Sequence, residues 1–353
     1  MREPMHSRER MLAAMDRRPV DRVPLDMWAT GEVVASLQRH FGESADVRAC
    51  LGLDGFGGAG PRYIGPAPSE GADMWGIRSR PVQNARGTYW EQCHFPLASA
   101  STLDDVEKFP WPSADWFEYG RLADELREIR KTRAVQVGYM APFYYHNLLR
   151  GLERSLLDPL ECPDMAHAII GRITDFFVAH HRRVFEAARG LIDATQVTDD
   201  LGSQTGPLLS PELWREFYRP HTRRCIELAK EYGIRVLHHD DGAMRAFLPD
   251  LVEMGIDVLN PVQWVCPGMD RAALKRDFGR RIAFHGGVEN QRILPFGTPE
   301  EVRSEVRDCI DQLASDGTGY ILCPCHNLQA GTPVENILAM YDEARRYGAA
   351  HSA

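Results

Sequence analysis

The apolar residues of this chain gather in seven short runs, each ending in polar residues and followed by a segment with helical character. The runs are rich in β-branched residues and are bounded by Gly, Pro or charged residues. Runs of this kind are typical of strands buried on both faces, as in a parallel sheet. The seven predicted strands are residues 22–28, 134–140, 191–200, 234–241, 257–263, 282–288 and 319–326.

The segments between these runs carry helix start and stop signals. Residues 298–301 read TPEE, which combines an N-cap, a proline at the first helical position and a capping-box glutamate. Apolar residues then follow at helical spacing until Gly317, which is a plausible stop. A similar start signal occurs at residues 332–335, and Ser210-Pro211 opens another predicted helix.

Alternating strands and helices over most of the chain favour a (β/α)8 TIM barrel over a doubly wound sheet. We expect one distorted barrel domain over residues 1–353, with its eighth strand near residues 53–60. Residues 60–120 hold many Gly, Pro and Trp residues. This segment is predicted to be an irregular N-terminal insertion or lid.

Composition narrows the class of protein. With 353 residues, 44% of them hydrophobic, the chain can bury a substantial core. The net charge of −9 argues against nucleic acid or an anionic membrane as the main partner. No apolar run approaches the roughly 18–20 residues that span a bilayer, and the charged first residues lead into no signal-peptide region. We therefore expect a reduced, cytoplasmic protein whose eight cysteines are free thiols.

Polar residues that could do chemistry follow the predicted strands. Active sites of TIM barrels lie at the carboxyl ends of the strands, so these residues should converge on one mouth. For any one of them, a helix cap or a solvated loop is the ordinary alternative. We interpret the set as a site. Its members are Asp199, Asp200, His238, His239, Asp240, Asp241, Gln263, His285, Glu289, Cys325 and His326.

A metal site is the first chemical hypothesis for this mouth. His239 and Asp241 are two residues apart at a strand end and therefore share a face. Imidazole and carboxylate are good ligands for zinc or ferrous iron, and His326 or Cys325 could add a third ligand. The alternative is that His239 and His326 are hydrogen-bonding pocket residues without a metal.

Other residues are candidates for contacting a substrate. Asp200 could serve as a general acid or base or hold a cationic group, and Gln204 could orient a substrate by hydrogen bonds. Trp28 could line a flat apolar pocket, although core packing is the ordinary role of tryptophan. For Asp199 and Asp200, the alternative is that one of them caps a helix. Further candidate substrate contacts are Asp199, Gln263, His285 and Glu289.

Several short motifs, taken together and in order, resemble the uroporphyrinogen decarboxylase superfamily, and within it the cobalamin-linked methyltransferase branch. The resemblance runs nearly end to end and implies a distorted TIM barrel with its site in the mouth. It does not settle the reaction, since one fold hosts many. The motifs are residues 7–10 (SRER), 21–24 (DRVP), 199–204 (DDLGSQ), 239–242 (HDDG), 285–288 (HGGV), 319–322 (GYIL) and 332–336 (TPVEN).

The resemblance to true uroporphyrinogen decarboxylases breaks after the first predicted strand. Those enzymes carry an Arg-Gln-Ala-Gly-Arg segment there, whose arginines bind the substrate's carboxylates. Residues 25–31 read LDMWATG instead. An octa-acid porphyrinogen would also be repelled by the aspartates of the mouth. Decarboxylation of uroporphyrinogen is therefore disfavoured.

The methyltransferase branch implies a zinc ion held by His-x-Cys and a later Cys. Carried over by position, the histidine falls on His239, the first cysteine on Asp241 and the last on His326, with Cys325 beside it. A carboxylate and an imidazole in place of two thiolates make a harder centre. Such a centre suits Lewis-acid activation of an oxygen substrate better than delivery of a thiol acceptor.

We therefore expect a corrinoid-dependent methyltransferase that takes a methyl group from a small methoxylated or methylated compound. His239, Asp241 and His326 would hold a divalent metal, zinc first, or act as acids, while Asp200 and Gln204 orient the substrate. No cobalamin-binding Asp-x-His-x-x-Gly motif occurs, so the corrinoid would arrive on a partner protein. The alternatives are a decarboxylase or lyase acting on another carboxylated compound, and a non-catalytic binding paralogue. Relatives suggest a homodimer.

Overall fold

The computed structural model describes residues 4–84 and 87–350 of the chain. Within these residues the strands are β1 (Phe56–Gly57), β2 (Arg62–Tyr63), β3 (Arg78–Asn84), β4 (Gly87–His94), β5 (Phe117–Glu118), β6 (Ala134–Met140), β7 (Ala194–Val197), β8 (Arg235–His239), β9 (Val258–Asn260), β10 (Ala283–Val288) and β11 (Tyr320–Pro324).

The helices of the described residues come between and around these strands. They are α1 (Ser7–Met15), α2 (Gly31–Phe41), α3 (Val47–Leu51), α4 (Leu103–Lys108), α5 (Leu122–Arg130), α6 (Pro142–Arg150), α7 (Leu152–Glu161), α8 (Pro163–Ala187), α9 (Pro211–Phe217), α10 (Arg219–Glu231), α11 (Leu248–Met254), α12 (Arg271–Phe278), α13 (Ile293–Phe296), α14 (Pro299–Leu313) and α15 (Val334–Ala350), with two 3-10 turns at Ala114–Trp116 and Arg245–Phe247. None of these described helices is both long and apolar enough to cross a bilayer.

Seven parallel strands form one curled sheet in the order β1-β6-β7-β8-β9-β10-β11. Six of the predicted runs contain these strands, and β1 is the strand expected near residues 53–60. Helices separate consecutive strands of the sheet, as a parallel arrangement requires. The prediction of an α/β barrel fold is confirmed at this level.

The predicted strand at residues 22–28 is reduced to a single bridge that joins the two edges of the sheet. On one side, residues 24–26 exchange two backbone hydrogen bonds with Leu322 of β11, each 2.9 Å long. On the other side, the carbonyl of Leu25 accepts a 2.8 Å hydrogen bond from the backbone N–H of Asp54, just before β1. This segment occupies the eighth position, and the barrel is distorted because its first strand is so short.

Helix α1 covers the amino-terminal end of the barrel. Its buried residues Met11, Ala14 and Met15 belong to a separate apolar cluster at that end. Each of six strands contributes one small or aliphatic side chain near its start to this layer, so the barrel interior is packed and the polar strand ends lie opposite. The strand residues of the layer are Ala134, Ala194, Leu237, Val258, Ala283 and Ile321.

The larger core lies between the sheet and the surrounding helices. Helix α8 buries one apolar stripe, which includes Ile169, Ile173 and Phe177; a fully buried side chain of this size contributes about 2 kcal/mol. Helix α14 begins with the capping box predicted from TPEE: Thr298 and Glu301 each accept a hydrogen bond from the other's backbone N–H. These helices hold the strand ends in place.

Residues 60–120 hold short elements outside the parallel sheet. Strands β3 and β4 form an antiparallel hairpin, and β2 pairs with β5. Trp75 is buried against Tyr145 and Phe176, whereas Trp90 on the hairpin is 66% exposed. The tryptophans of this region are therefore divided between core and surface.

Candidate active site

A cavity of about 400 Å³ opens at the carboxyl ends of the strands. Asp241 follows β8, and His326 follows β11, so both side chains reach this mouth from the ends of separate strands. Gln204 and Gln263 line it from the loops that follow β7 and β9. The predicted strand-end residues thus converge on one place, although not all of them face the cavity.

His239, Asp241 and His326 form a group of three metal-capable side chains. One ligand atom from each lies within 4.8 Å of the others, and His326 Nε2 is 3.6 Å from Asp241 Oδ2. The rings of His239 and His326 are 5.7 Å apart. Two imidazoles and a carboxylate with this spacing suit zinc or ferrous iron and leave coordination positions open.

Cys325 lies beside this group and is not a member of it. Its thiol points toward the backbone and donates to the carbonyl oxygen of Val262 at 3.2 Å. Complete burial raises the pKa of this thiol well above its usual range in the metal-free protein. Of the four predicted metal ligands, the structure brings three together.

A buried hydrogen-bond chain stands behind His239. Its Nδ1 is 2.6 Å from Asn260 Oδ1, and Asn260 Nδ2 is 2.6 Å from His285 Nδ1. His285 Nε2 is 2.9 Å from Asp26 Oδ2. Trp28 packs on this row, with its ring 5.4 Å from that of His239 and 5.7 Å from that of His285. The predicted residue His285 is therefore completely buried behind the cavity.

Two residues of this hydrogen-bond chain, Asn260 and Asp26, were not predicted as site residues. Asn260 is a polar residue at the last position of a buried strand. Asp26 is a carboxylate within the otherwise apolar run 22–28. A polar side chain in an apolar strand is the signal that could have identified both.

Asp199 and Asp240 turn back to the backbone. Asp199 Oδ1 accepts hydrogen bonds from the N–H groups of Phe143 (2.7 Å) and Tyr144 (3.2 Å) at the start of α6. Asp240 Oδ1 accepts from Leu201 (2.9 Å) and Gly202. Burial, opposed by these hydrogen bonds, raises the pKa of each carboxyl. The two side chains organise the loops around the mouth.

Asp200 is more exposed and lies 3.7 Å from His239 Nε2. Burial, together with the charges of Asp240 and Asp241, raises the pKa of Asp200 to about 8. The aspartates of this mouth therefore oppose one another's ionisation.

The remaining predicted contacts have defined partners. Gln263 donates to Gln204 Oε1 at 3.1 Å and accepts from the N–H of Gly242 at 2.9 Å, so it joins two loops of the mouth. Glu289 accepts hydrogen bonds from the backbone N–H groups of residues 291–293, at 2.6–2.8 Å. This carboxylate caps the turn that leads into α13 and is buried.

The curled parallel sheet, with helices between its strands and a metal-capable group at their carboxyl ends, places the chain among the α/β-barrel proteins. The chain belongs to the uroporphyrinogen decarboxylase (URO-D) family, whose family model matches residues 98–347. The resemblance seen in the sequence is thereby confirmed.

The relatives are enzymes of two kinds, in agreement with the prediction of an enzyme. The chain is 30% identical over 261 residues to a methylated-thiol–coenzyme M methyltransferase of Methanosarcina mazei. The aligned region covers 71% of this chain and 65% of that protein. It is 23% identical over 260 residues to a chloroplastic uroporphyrinogen decarboxylase 2 of rice, Oryza sativa, covering 71% of this chain and 62% of that protein. The chain thus matches just under two thirds of these relatives' lengths.

A solved methyltransferase from Methanosarcina mazei has a similar structure. It superposes with a TM-score of 0.67 at 18% identity and covers 97% of this chain and 99% of that chain. At this identity the likeness shows the fold alone, and it agrees with the barrel described above.

Proposed function

We propose that this protein transfers a methyl group from a small methoxylated or methylated compound to a corrinoid carried by a partner protein. The observation that carries the proposal is the group formed by His239, Asp241 and His326 at a cavity of about 400 Å³. The similarity to a methyltransferase supports the type of reaction. That relative's name specifies a methylated thiol and coenzyme M, and this chain has no cysteine in the group of three.

The three side chains would hold a divalent metal, with zinc as the first candidate. His239 is suited to this role because Asn260 occupies its Nδ1 and leaves Nε2, 3.7 Å from Asp200 Oδ1, as the ligand nitrogen. A bound zinc or ferrous ion would act as a Lewis acid on the donor's oxygen. The carboxylate and imidazole donors support an oxygen substrate over a thiol.

The other residues of the mouth would position the donor. Asp200 and Gln204 stand beside the group of three and can hold a small polar compound by hydrogen bonds. Trp28, stacked near His239, offers an apolar face. These contacts would orient the donor's methyl group toward the mouth of the barrel, where the partner's corrinoid would supply the methyl acceptor.

Decarboxylation of another carboxylated compound is the second candidate, and the decarboxylase relatives favour it. Residues 25–31 lack the arginines that bind the substrate's carboxylates in true uroporphyrinogen decarboxylases, and this opposes a polyanionic porphyrinogen. Conversion of uroporphyrinogen to coproporphyrinogen by the purified protein would establish this candidate in its narrow form.

The test is methylation of reduced free cobalamin, which serves as a probe for the partner's corrinoid. Zinc-loaded protein is incubated with a panel of methoxyaromatic compounds and methylamines, and methylcobalamin is measured by its absorption. We expect turnover that falls by about 100-fold or more in His326→Ala and Asp241→Asn. The exposed His94→Gln on β4 is the matched control and should retain turnover.

Absence of cobalt methylation across the panel, also with a candidate corrinoid protein added, would reject the proposal. If the protein in addition bound no metal and no member of the panel stabilised it, the non-catalytic paralogue would be favoured.

A further inference from the structure

We propose that Asp26, His285 and Asn260 are positioning residues that fix the tautomer of His239, so that its Nε2 carries the lone pair that can join Asp241 and His326 in binding a metal. This inference rests on the proposed metal role of His239. The three residues are at most 5% exposed, and water cannot easily replace them as partners. They come from the 24–26 segment and from strands β10 and β9, so the chain crosses the barrel interior.

The direction of the chain begins at Asp26. Its carboxylate can only accept hydrogen bonds when ionised, so His285 Nε2, 2.9 Å away, must carry the proton. Burial is the largest influence and opposes ionisation, but the hydrogen bonds from His285 and the Met27 N–H, together with nearby positive charge, outweigh it and hold the pKa of Asp26 below its usual value. Asp26 Oδ1 accepts the N–H of Met27 at 2.9 Å, which holds the carboxylate in place.

Each following group then has one permitted role. The structure turns the amide nitrogen of Asn260 toward His285 Nδ1, and this nitrogen can accept only in a neutral ring with its proton on Nε2. The amide oxygen of Asn260 consequently faces His239 and can only accept. His239 must therefore donate from Nδ1, which leaves Nε2 unprotonated in the neutral ring.

This arrangement is what a metal-binding histidine needs. The partner on the far nitrogen fixes the ring and its tautomer, and loss of such a partner typically lowers metal affinity by about 10–100-fold. The opposite orientation of Asn260 would place a proton on His239 Nε2, where it would block a ligand bond. Asp26 thus acts on the cavity through two intervening side chains.

A second metal-capable group overlaps this chain. Ligand atoms of Asp26, His285 and Cys323 also lie within 4.8 Å of one another, and all three are buried. An ion there would have to break the bond between Asp26 and His285, and burial raises the pKa of the Cys323 thiol well above its usual range. The geometry therefore favours the hydrogen-bond chain at this place.

The first test measures the tautomer directly in metal-free protein. Nitrogen NMR of histidine-labelled protein, with the His239 signals assigned from a His239→Gln variant, should show a proton on Nδ1 and none on Nε2. In Asp26→Asn, the new amide can donate to His285 Nε2, so the proton of His239 should move to Nε2. A wild-type proton on Nε2 would overturn the proposal.

The second test measures zinc affinity by competition with a chelator. Asp26→Asn should bind zinc about 10–100-fold more weakly than wild type. Asp158→Asn is the matched control, since Asp158 is equally buried beside another histidine, His146, at 3.2 Å. The control should lose thermal stability and keep wild-type zinc affinity. Unchanged affinity in a folded Asp26→Asn would contradict the proposal.

Two variants at Asn260 test the same proposal if Asp26→Asn does not fold. Asn260→Asp keeps an acceptor for His239 Nδ1 and should retain zinc affinity, whereas Asn260→Leu has no acceptor and should lose it about 10–100-fold. Equal affinities in the two variants would overturn the proposal. Failure of methyl transfer with these results intact would reject only the proposed function.

Discussion

At the scale of single residues, the proposed metal ligands differ at two positions from those that the family resemblance implies. Asp241 and His326 stand where the methyltransferase branch implies thiolates, and Cys325 is turned toward Val262. The three-residue group was predictable because residues two apart on a strand share a face. Asp199 and Glu289 were predicted as substrate contacts and Asp240 as a member of the site. Each instead accepts hydrogen bonds from backbone N–H groups, and a sequence does not show which carboxylate binds the backbone.

The first prediction concerns the ligand type. Cobalt(II)-loaded wild-type protein should lack thiolate-to-metal charge-transfer absorption, because the group of three has two imidazoles and one carboxylate. Asp241→Cys should gain that absorption, and Cys325→Ser should leave the wild-type spectrum unchanged. A wild-type thiolate band that disappears in Cys325→Ser would show that this cysteine is a ligand.

At the scale of elements, most strands and helix starts were predictable, and their extents were not. The run 191–200 yields a β7 of four residues, because the chain leaves the sheet where Asp199 caps α6. The run 22–28 yields one bridge. Apolar periodicity locates an element, whereas side-chain capping and sheet closure decide where it ends.

The second prediction concerns helix α8, which places His181 against β6. His181 Nδ1 lies 2.9 Å from the carbonyl oxygen of Phe177, and its Nε2 accepts the N–H of Tyr139, so both nitrogens are used by the neutral ring. Burial lowers the pKa of His181 to about 4. Between that value and the unfolded value of 6.5, the unfolded chain binds the extra proton, so stability is present above pH 6.5 and falls as pH falls.

This residue alone should lower the free energy of unfolding by about 2 kcal/mol between about pH 7.5 and about pH 5. Urea titrations measure the free energy of unfolding at the two pH values. The difference between the two values should be about 2 kcal/mol smaller in His181→Gln than in wild type. Phe185→Leu, a buried neighbour 5.9 Å away without a titratable group, should reduce stability equally at both pH values. An unchanged pH dependence in His181→Gln would be inconsistent with this account.

At the scale of the whole molecule, a buried ionic cluster supports the closure of the barrel. Asp54 is completely buried and accepts hydrogen bonds from Arg10 of α1 (2.5 Å), Arg22 (2.8 Å) and the backbone N–H of Leu25 (3.0 Å). It therefore joins helix α1, the bridging segment and the approach to β1. No apolar pattern indicates such a cluster, since its partners are far apart in sequence.

The third prediction follows from that cluster. Asp54→Asn should lower the free energy of unfolding by about 3–5 kcal/mol, because Arg10 and Arg22 lose a buried counter-charge. Chemical denaturation measures the change. Asp104→Asn, which breaks an exposed pair with Lys108, should have a small effect. A loss in Asp54→Asn no larger than in this control would show that the cluster is not required for closure.

The apolar layer at the amino-terminal end of the barrel also affects when the chain can finish folding during its synthesis. Helix α1 is made early, yet its Met11 and Ala14 share a packed layer with Ile321 of β11, near the other end of the sequence. During synthesis on a ribosome, helix α1 therefore cannot complete this layer until β11 has emerged. Contacts between such distant segments slow folding and leave apolar surface uncovered meanwhile. The same layer that completes the folded barrel thus leaves part of the apolar face of α1 uncovered until β11 has been synthesised.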